Sequence, residues 1–478
     1  MKTIFSFVTT ISICFILLTG VGLYSADSAE TGETIEGNWM GKIDNIRVVF
    51  RIMRNADGSY EAYTDSPDQM AFDIPVEGIT LEDGNVHLEV RPLGLIYEGK
   101  LISNSIIEGA LKQGDYSMPL VVERVDEVPK PPRRPQTPKK PYPYNEEDIA
   151  YENKAAGVKI AGTLTLPRSR GAFPAVLLIA GSGPQNRDEE LLCHRPFLVL
   201  ADYLTRHGIA VLRIDKRGVG ESTGNFGQAT YEDFASDALA GVEYLKARKE
   251  IEPDHIGLIG HSEGAAVAAI VASQSPDVAF IIMMAGVGIN GYENMILQDL
   301  AVARSKGATE EEIALIRSWC GRFYAIPVEE EDHAIAREKM QQLYDTRTEA
   351  EEHAFRFLHG ITLQIDYALS PGMRSSLTFD PQSILRKVKC PVLAINGEKD
   401  VQVPARENLR GIEETLMAAG NNDCKVKELP GLNHLFQTAD TGAMSEYAEI
   451  EETMSPVVLE TIANCVLTHA NTVEVASP

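Results

Sequence analysis

The sequence contains few cysteines and few tryptophans for its length. Six cysteines and two tryptophans occur in 478 residues, and no Cys-x-x-Cys pair is present. A dense disulfide framework is therefore excluded, although a single disulfide outside the cytoplasm is compatible with the five cysteines that follow Cys14. No Gly-x-x-x-x-Gly-Lys loop continues with Ser or Thr, and no His, Cys and Asp cluster has metal-ligand spacing. We expect no cofactor and no metal.

The sequence also contains few positively charged residues relative to its negatively charged ones. The 44 Lys and Arg residues face 69 Asp and Glu residues, which leaves a formal net charge of −25. Phosphate backbones and anionic membrane surfaces repel a chain of this charge. We therefore expect no nucleic-acid partner and no membrane association beyond export. The hydrophobic share of 44% is typical of a globular protein.

One long apolar run is present, and it lies at the N-terminus. Residues 1–26 combine Lys2, an apolar stretch over residues 4–18 and small residues after it. This pattern predicts a signal peptide that is removed near Ala26 or Ala29, and hence a secreted or periplasmic protein. An uncleaved anchor is the alternative, because the apolar stretch is close to the roughly 20 residues of a spanning helix.

Two segments precede the main part of the chain. Residues 30–125 contain short alternating runs, such as residues 46–53, separated by Asp-Gly and similar turns. This spacing predicts an antiparallel β domain with Trp39 as a core anchor. Residues 126–144 contain seven prolines. They predict an extended, semi-rigid linker, and a ligand for a proline-binding domain is the alternative.

The most informative motif is Gly-x-Ser-x-Gly at residues 260–264. It follows the short apolar run of residues 255–259 and precedes the alanine-rich residues 265–270. Strand, tight turn and helix are the context in which this motif presents a nucleophilic serine. We therefore predict that Ser262 is the nucleophile. An ordinary glycine-rich turn between a strand and a helix is the alternative.

A serine needs a base to become reactive, and two downstream loops supply candidates. Asp400 lies just past an apolar strand that ends at Gly397, and His434 follows a strand that ends at the turn of Pro430 and Gly431. Open α/β sheets collect their active sites at the carboxyl ends of such strands. We predict that His434 accepts the serine proton and that Asp400 orients the imidazole.

Each of these two residues has an alternative interpretation. Asp400 could be a turn-forming aspartate, with Glu398 as a rival acid two residues away. His434 could be a loop histidine that bonds to backbone. The chain order Ser, Asp, His and the position of both loops after strands favour the catalytic interpretation.

Residues 145–470 resemble the α/β-hydrolase superfamily and, more narrowly, bacterial serine carboxylesterases with an extra N-terminal β domain. The resemblance rests on residues 178–188, residues 213–222 and the three segments just described. It implies an α/β fold in which a mostly parallel sheet carries helices on both faces. The catalytic domain would comprise residues 145–286 and 378–470, with a helical cap at residues 287–377. The antiparallel β domain would precede it.

The resemblance also implies an oxyanion hole of two backbone N–H groups. One donor follows the nucleophile and is here Glu263. The other lies in the block after the third strand, where many relatives carry His-Gly and this chain has Ala180 and Gly181. Because of this departure, both Gln185, which we favour, and Ser182 stay open as the first donor.

The function implied is that of a secreted serine esterase. It would hydrolyse small carboxylic esters, including aryl or cinnamoyl types, through an acyl-enzyme intermediate, and its partner would be a small-molecule ester. A serine peptidase or an acyl thioesterase of the same fold is the alternative enzyme, since the same groups attack amides and thioesters. A cell-surface binding protein that uses the β domain is the non-enzymatic alternative.

Overall fold

A computed structural model describes residues 34–470 with the exception of residues 45, 115, 170 and 359–363. The predicted signal peptide, residues 1–26, lies outside the described residues. The chain divides into two compact units, and the boundary between them follows Pro132. Within the described residues, no helix is both long enough and apolar enough to cross a membrane.

The first unit is an antiparallel sheet rolled around its own core. Its described strands follow the spatial order β4-β3-β2-β1-β9-β8-β7-β6-β5. In sequence they are β1 Gly37–Ile43, β2 Ile46–Arg54, β3 Tyr60–Ser66, β4 Ala71–Val76, β5 Gly78–Glu82, β6 Asn85–Val90, β7 Leu95–Ser103, β8 Ile106–Gln113 and β9 Tyr116–Val125. In β6, Val86, Leu88 and Val90 are buried on one face, as a period of two predicts. Trp39 is fully buried, and its indole N–H donates to the Ile35 carbonyl oxygen at 2.8 Å.

The second unit contains a mixed sheet of order β10-β11-β13-β12-β14-β15-β16-β17. β10 and β11 are antiparallel to each other, and β11 is antiparallel to β13, whereas the pairs from β13 to β17 are parallel. The central strands are continuous apolar runs, as expected for strands covered on both faces. The strands are β10 Asn145–Asn153, β11 Val158–Leu166, β12 Phe173–Ile179, β13 Ala210–Ile214, β14 Ile251–His261, β15 Phe280–Met284, β16 Val392–Gly397 and β17 Cys424–Leu429.

Helices cover both faces of this sheet. α1 and α12 contribute to one apolar core, whereas α2, α3 and α11 contribute to the other. The described α-helices are α1 Pro196–Arg206, α2 Tyr231–Lys246, α3 Glu263–Gln274, α4 Gly291–Ser305, α5 Glu310–Glu329, α6 His333–Asp345, α7 Glu349–Ala354, α8 Ile365–Ala368, α9 Pro371–Thr378, α10 Pro381–Leu385, α11 Ala405–Ala418 and α12 Pro456–Ala470. Short 3-10 helices lie at Pro67–Gln69, Arg91–Leu93, Phe226–Gln228, Phe355–Phe357 and Met444–Glu446.

A helical insert separates β15 from β16. Its helices α4 to α9 build a third apolar core, in which Trp319 stacks on Phe323 with ring centroids 4.6 Å apart. A capping box of Thr309 and Glu312 begins α5. The expected fold class is also confirmed: a mostly parallel sheet with helices on both faces, a helical insert and an N-terminal antiparallel β domain.

The segment after β17 is held by polar contacts with Arg134 and with the loop after β12. The Arg134 guanidinium donates to the carbonyl oxygens of Leu192, Ala448 and Ile450 at 2.8 to 3.0 Å. The buried His194 ring lies 2.9 Å from the Thr453 hydroxyl and 3.0 Å from the Tyr447 carbonyl oxygen. Within the second unit, Arg134 and His194 therefore hold the stretch that follows His434 in place.

We predict that His194 makes this packing sensitive to acid. Burial and the charge of Arg134 lower the pKa of His194 to about 4. The unfolded chain, with an ordinary histidine pKa of about 6.5, therefore takes up a proton between pH 6.5 and pH 4 that the folded protein refuses. The stabilisation from neutral His194 is complete above pH 6.5 and is lost as the pH falls towards 4.

Urea unfolding of the wild type and of His194→Gln at pH 7.5 and pH 4.5 tests this. The wild type should be the more stable protein at pH 7.5, and its advantage should shrink at pH 4.5. An advantage that stays constant or grows on acidification would contradict the assignment.

Candidate active site

Ser262 occupies a sharp turn between β14 and α3. Its φ of +54° and ψ of −116° place a non-glycine residue in a sparsely populated backbone region. The Ser262 N–H donates to the Met284 carbonyl oxygen at the end of β15, at 2.8 Å. The strained turn and its anchor to the neighbouring strand place the serine at the carboxyl edge of the sheet, as in a nucleophile elbow.

The two glycines of the motif are required by close backbone contacts. A Cβ atom on Gly260 would lie 2.0 Å from the Gly264 carbonyl oxygen, and a Cβ atom on Gly264 would lie 2.0 Å from the Ile179 carbonyl oxygen. The start of α3 therefore packs directly against the end of β12. This contact brings the Glu263 N–H, at the first position of α3, next to the loop that follows β12.

Asp400 and His434 form a buried hydrogen-bonded pair. His434 Nδ1 lies 2.8 Å from Asp400 Oδ2, and both side chains are buried. Asp400 Oδ1 accepts the N–H groups of Gln402 and Val403 at 2.8 and 2.9 Å. Because a carboxylate only accepts hydrogen bonds, Nδ1 carries the proton and Nε2 of the neutral ring is left as a proton acceptor.

The neighbouring acid, Glu398, has a different role. Its Oε2 accepts the Gly431 N–H at 2.8 Å and thereby joins the loop after β16 to the turn after β17. The His434 ring is paired with Asp400 instead. The structure therefore separates an orienting acid at residue 400 from a loop-bracing acid at residue 398.

The serine and the histidine are brought together through their chain neighbours. His261, which precedes Ser262, places Nε2 3.0 Å from the His434 carbonyl oxygen, and the two imidazole ring centroids are 4.9 Å apart. Among the described residues, no hydrogen bond joins the Ser262 hydroxyl to the His434 ring. In apo enzymes this bond is often long and tightens only when substrate binds.

The two candidates for the first oxyanion donor differ in their surroundings. The Gln185 N–H already donates to the Gly183 carbonyl oxygen at 2.9 Å within its own turn. Ser182 is exposed, and it follows Gly181, which packs against His261 of the elbow. We therefore prefer the Ser182 N–H to the Gln185 N–H as the partner of Glu263.

Two ion pairs lie beside the elbow, and three of their four residues, Glu189, His261 and Lys216, were not anticipated as site residues. Glu189 Oε1 lies 3.0 Å from His261 Nδ1, and Lys216 Nζ lies 2.6 Å from Glu263 Oε1. Burial alone would lower the pKa of His261, but the Glu189 carboxylate outweighs it and the net shift is upward. All four residues lie in or beside the segments on which the family resemblance rests, so the sequence could have pointed to them. Which acid pairs with which base depends on the fold.

The helical insert reaches the same region. Tyr367 of α8 is 37% exposed, and partial desolvation together with the nearby Glu263 charge raises the pKa of its phenol. The backbone N–H of Tyr231 in α2 donates to the Ser375 hydroxyl of α9 at 3.1 Å. The helical insert therefore contacts α2 through α9 and approaches the elbow through α8. In the part of the chain that the structure describes, no group of three His, Cys, Asp or Glu side chains is arranged to hold a metal ion.

Comparison with known proteins adds a family. A family model described as serine aminopeptidase, S33, matches residues 195–438, which include all three candidate residues Ser262, Asp400 and His434. Esterase EstD of Thermotoga maritima is 26% identical over 296 residues, which cover 62% of this chain and 61% of that protein. The chain thus spans about three fifths of the length of this curated relative.

Other similarities are shorter or more remote. The human protein ABHD12B is 36% identical over 99 residues, 21% of this chain and 24% of that protein. A solved structure, Est1E from Butyrivibrio proteoclasticus with bound ferulic acid, is 18% identical, covers 67% of this chain and 99% of its own, and gives a TM-score of 0.41.

The separation of Asp400 from Glu398 can be tested with a matched pair of variants. Asp400→Asn keeps the shape and the acceptor for Gln402 and Val403, but it presents the wrong hydrogen-bonding partner to His434. We expect Ser262 in this variant to react with a fluorophosphonate roughly a thousandfold more slowly or worse. Glu398→Gln is the control and should react at nearly the wild-type rate. Equal rates for the two variants would remove Asp400 from the site.

Proposed function

Because the chain belongs to the serine aminopeptidase S33 family, we propose that it is a serine hydrolase that cleaves small carboxylic esters with Ser262, His434 and Asp400. The observation that supports this most strongly is the convergence of three strand ends. The strained elbow at Ser262 and the buried pair of Asp400 and His434 lie at the same edge of one sheet. This arrangement matches the division of labour in a catalytic triad.

In the acylation step the Ser262 oxygen attacks the ester carbonyl carbon. His434 Nε2 takes the hydroxyl proton, and Asp400 stabilises the resulting imidazolium through the Nδ1–H bond. Negative charge moves to the carbonyl oxygen, where the N–H groups of Glu263 and Ser182 would stabilise it. A single donor of this kind is typically worth about 3–4 kcal/mol in the transition state.

The collapse of this intermediate releases the alcohol. His434 returns its proton to the departing alkoxide, and the acyl group stays on the Ser262 oxygen. A water molecule then gives a proton to His434 Nε2 and attacks the acyl carbon. When this second intermediate collapses, the bond between the acyl carbon and the Ser262 oxygen breaks and His434 returns the proton to that oxygen. The products are the carboxylic acid and the free enzyme, so that one ester bond is hydrolysed for each water consumed.

The charges beside the elbow favour esters over the amino-terminal amides that the family description suggests. An aminopeptidase has to hold the substrate's ammonium group, which a carboxylate does best. Three carboxylates beside the elbow already have cationic or imidazole partners: Glu263 with Lys216, Glu189 with His261, and Asp400 with His434. Esters carry no such charge and do not require a free carboxylate.

The proposal also covers the substrate class and the location of the protein. The printed name of EstD is that of an esterase, and Est1E is described with ferulic acid bound. Small acyl and aryl esters are therefore the substrates to examine first. We also retain the proposal that the protein is exported, since residues 1–26 have the composition of a signal peptide.

A substrate panel on wild type and Ser262→Ala tests the function. We expect p-nitrophenyl butyrate to be hydrolysed much faster than an aminoacyl p-nitroanilide or a butyryl thioester. Ser262→Ala should lower kcat by roughly 10⁵-fold or more, because the nucleophile is gone while the fold is unchanged.

Ser275→Ala is the matched control. Ser275 lies at the opposite end of α3, where its hydroxyl accepts the Asp277 N–H at 3.2 Å. This variant should keep the wild-type kcat. Ester hydrolysis that survives in Ser262→Ala would reject the proposed nucleophile, and a faster reaction with the anilide would favour a peptidase.

A further inference from the structure

Both backbone polar groups of Gly181, its N–H and its C=O, are held by charged side chains. The Gly181 N–H donates to Glu189 Oε1 at 2.5 Å, and the Gly181 carbonyl oxygen accepts from Lys216 Nζ at 2.5 Å. Glu189 and Lys216 are both buried. A backbone residue whose N–H and C=O both meet buried ionic groups has little freedom to rotate.

Each of these charged groups has a second partner in the nucleophile elbow. Glu189 is also bonded to His261, the residue before Ser262, and Lys216 is also bonded to Glu263, the residue after it. The two ion pairs therefore connect the loop after β12 to both sides of the serine. We call Glu189, His261, Lys216 and Glu263 the clamp.

The clamp fixes the direction of the Ser182 N–H. In a planar trans peptide the N–H and C=O groups point in opposite directions. Because the Gly181 carbonyl is bound by Lys216, the N–H of the same peptide group, which belongs to Ser182, points away from Lys216. Gly181 has no side chain to separate the partners, and a Cβ atom there would lie 3.1 Å from Glu189 Oε1 and 3.4 Å from His261 Nδ1.

The surroundings of Lys216 keep its charge directed at this peptide. Its ammonium lies 4.6 Å from the Phe234 ring centroid and 5.8 Å from that of Phe226, so two aromatic rings line part of its environment. The Lys216 backbone N–H also donates to the Gln185 carbonyl oxygen at 3.2 Å, which closes the other end of the loop. Glu189 has a φ of +52°, a left-handed conformation that accompanies the inward turn of its carboxylate.

We propose that the clamp, through Lys216 and Glu189, sets the Ser182 N–H as an oxyanion donor before substrate arrives. This inference rests on the proposed ester hydrolysis and assigns its positioning residues. Neither Lys216 nor Glu189 touches the reacting atoms. Glu189 holds the peptide group before Gly181 and Lys216 holds the one after it. The oxyanion therefore meets a Ser182 N–H that needs no reorganisation.

Lys216→Met removes the ammonium and keeps a chain of comparable length. We expect kcat for p-nitrophenyl butyrate to fall roughly 10- to 100-fold, with KM changed by less than about threefold, because the lost interaction is made mainly with the transition state. The affinity for a butyl trifluoromethyl ketone, whose hemiketal oxygen occupies the oxyanion position, should weaken by the same factor as kcat/KM. Rates are expressed per active serine, counted by fluorophosphonate titration.

Arg217→Met is the matched control. Arg217 is the next residue and is also buried, but it pairs with Asp237 at 2.7 Å and with Asp233 at 2.6 Å, away from Gly181. Its loss removes a buried ion pair of the same loop without touching the clamp. We expect wild-type kcat and wild-type ketone affinity per active serine, whatever the change in stability.

Gly181→Ala perturbs the same backbone segment without changing any charge. If Lys216→Met does not fold, this variant provides the test of the clamp. Gly181 does not have a positive φ, so alanine fits its backbone and only the close contacts with Glu189 and His261 change. We expect a loss of kcat and of ketone affinity of the same kind as for Lys216→Met.

Two results would overturn the clamp. One is wild-type kcat and ketone affinity in the folded variants. The other is a loss of kcat that leaves ketone affinity unchanged, since the clamp would then not act on the oxyanion. A wild-type protein that hydrolyses no ester at all would instead reject the proposed function on which the clamp rests.

Discussion

The hydrogen bond between Asp400 and His434 is the interaction on which the rest of the site depends. It joins the loop after β16 to the loop after β17, and it gives the imidazole one defined proton position. Both groups are buried, so the bond is not weakened by water, and the remaining Asp400 oxygen is satisfied by two backbone N–H groups. Without this pair, Ser262 would be an ordinary hydroxyl on a strained turn.

The same edge of the sheet carries a second set of charged groups, which hold backbone segments in place. His261 bonds to the His434 carbonyl oxygen and to Glu189, while Glu189 also holds Gly181. The base, the nucleophile and the loop after β12 are therefore tied together by one imidazole. Buried ionic groups are costly unless they are fully paired, and here every one of them has a partner. Burying these charges costs desolvation energy, and the pairs add little net stability. What they provide is a fixed geometry at the site.

The larger elements could be predicted from local patterns. The apolar run at residues 255–259 predicted β14, and the alanine-rich residues 265–270 predicted α3, because these signals involve neighbours along the chain. The positions of Ser262, Asp400 and His434 after strands could be predicted for the same reason. Their assignment as a triad remains a prediction.

The pairing of charges could not be predicted in this way. Lys216 and Glu263 are 47 positions apart, and Glu189 and His261 are 72 apart. Which acid meets which base depends on sheet register and on the contact between α3 and β12, neither of which a sequence pattern specifies. The engagement of the Gln185 N–H within its own turn is likewise a property of the folded loop.

The roles of Ser262 and His434 can be tested by a crystal structure of the protein after reaction with a p-nitrophenyl alkylphosphonate. We predict phosphorus bonded to the Ser262 oxygen, with His434 Nε2 within hydrogen-bonding distance of a phosphonyl ester oxygen. We also predict that the phosphoryl oxygen lies about 2.7–3.1 Å from the backbone nitrogens of Glu263 and Ser182. A phosphonate bonded to another residue, or a His434 ring that stays out of reach of the adduct, would contradict these roles.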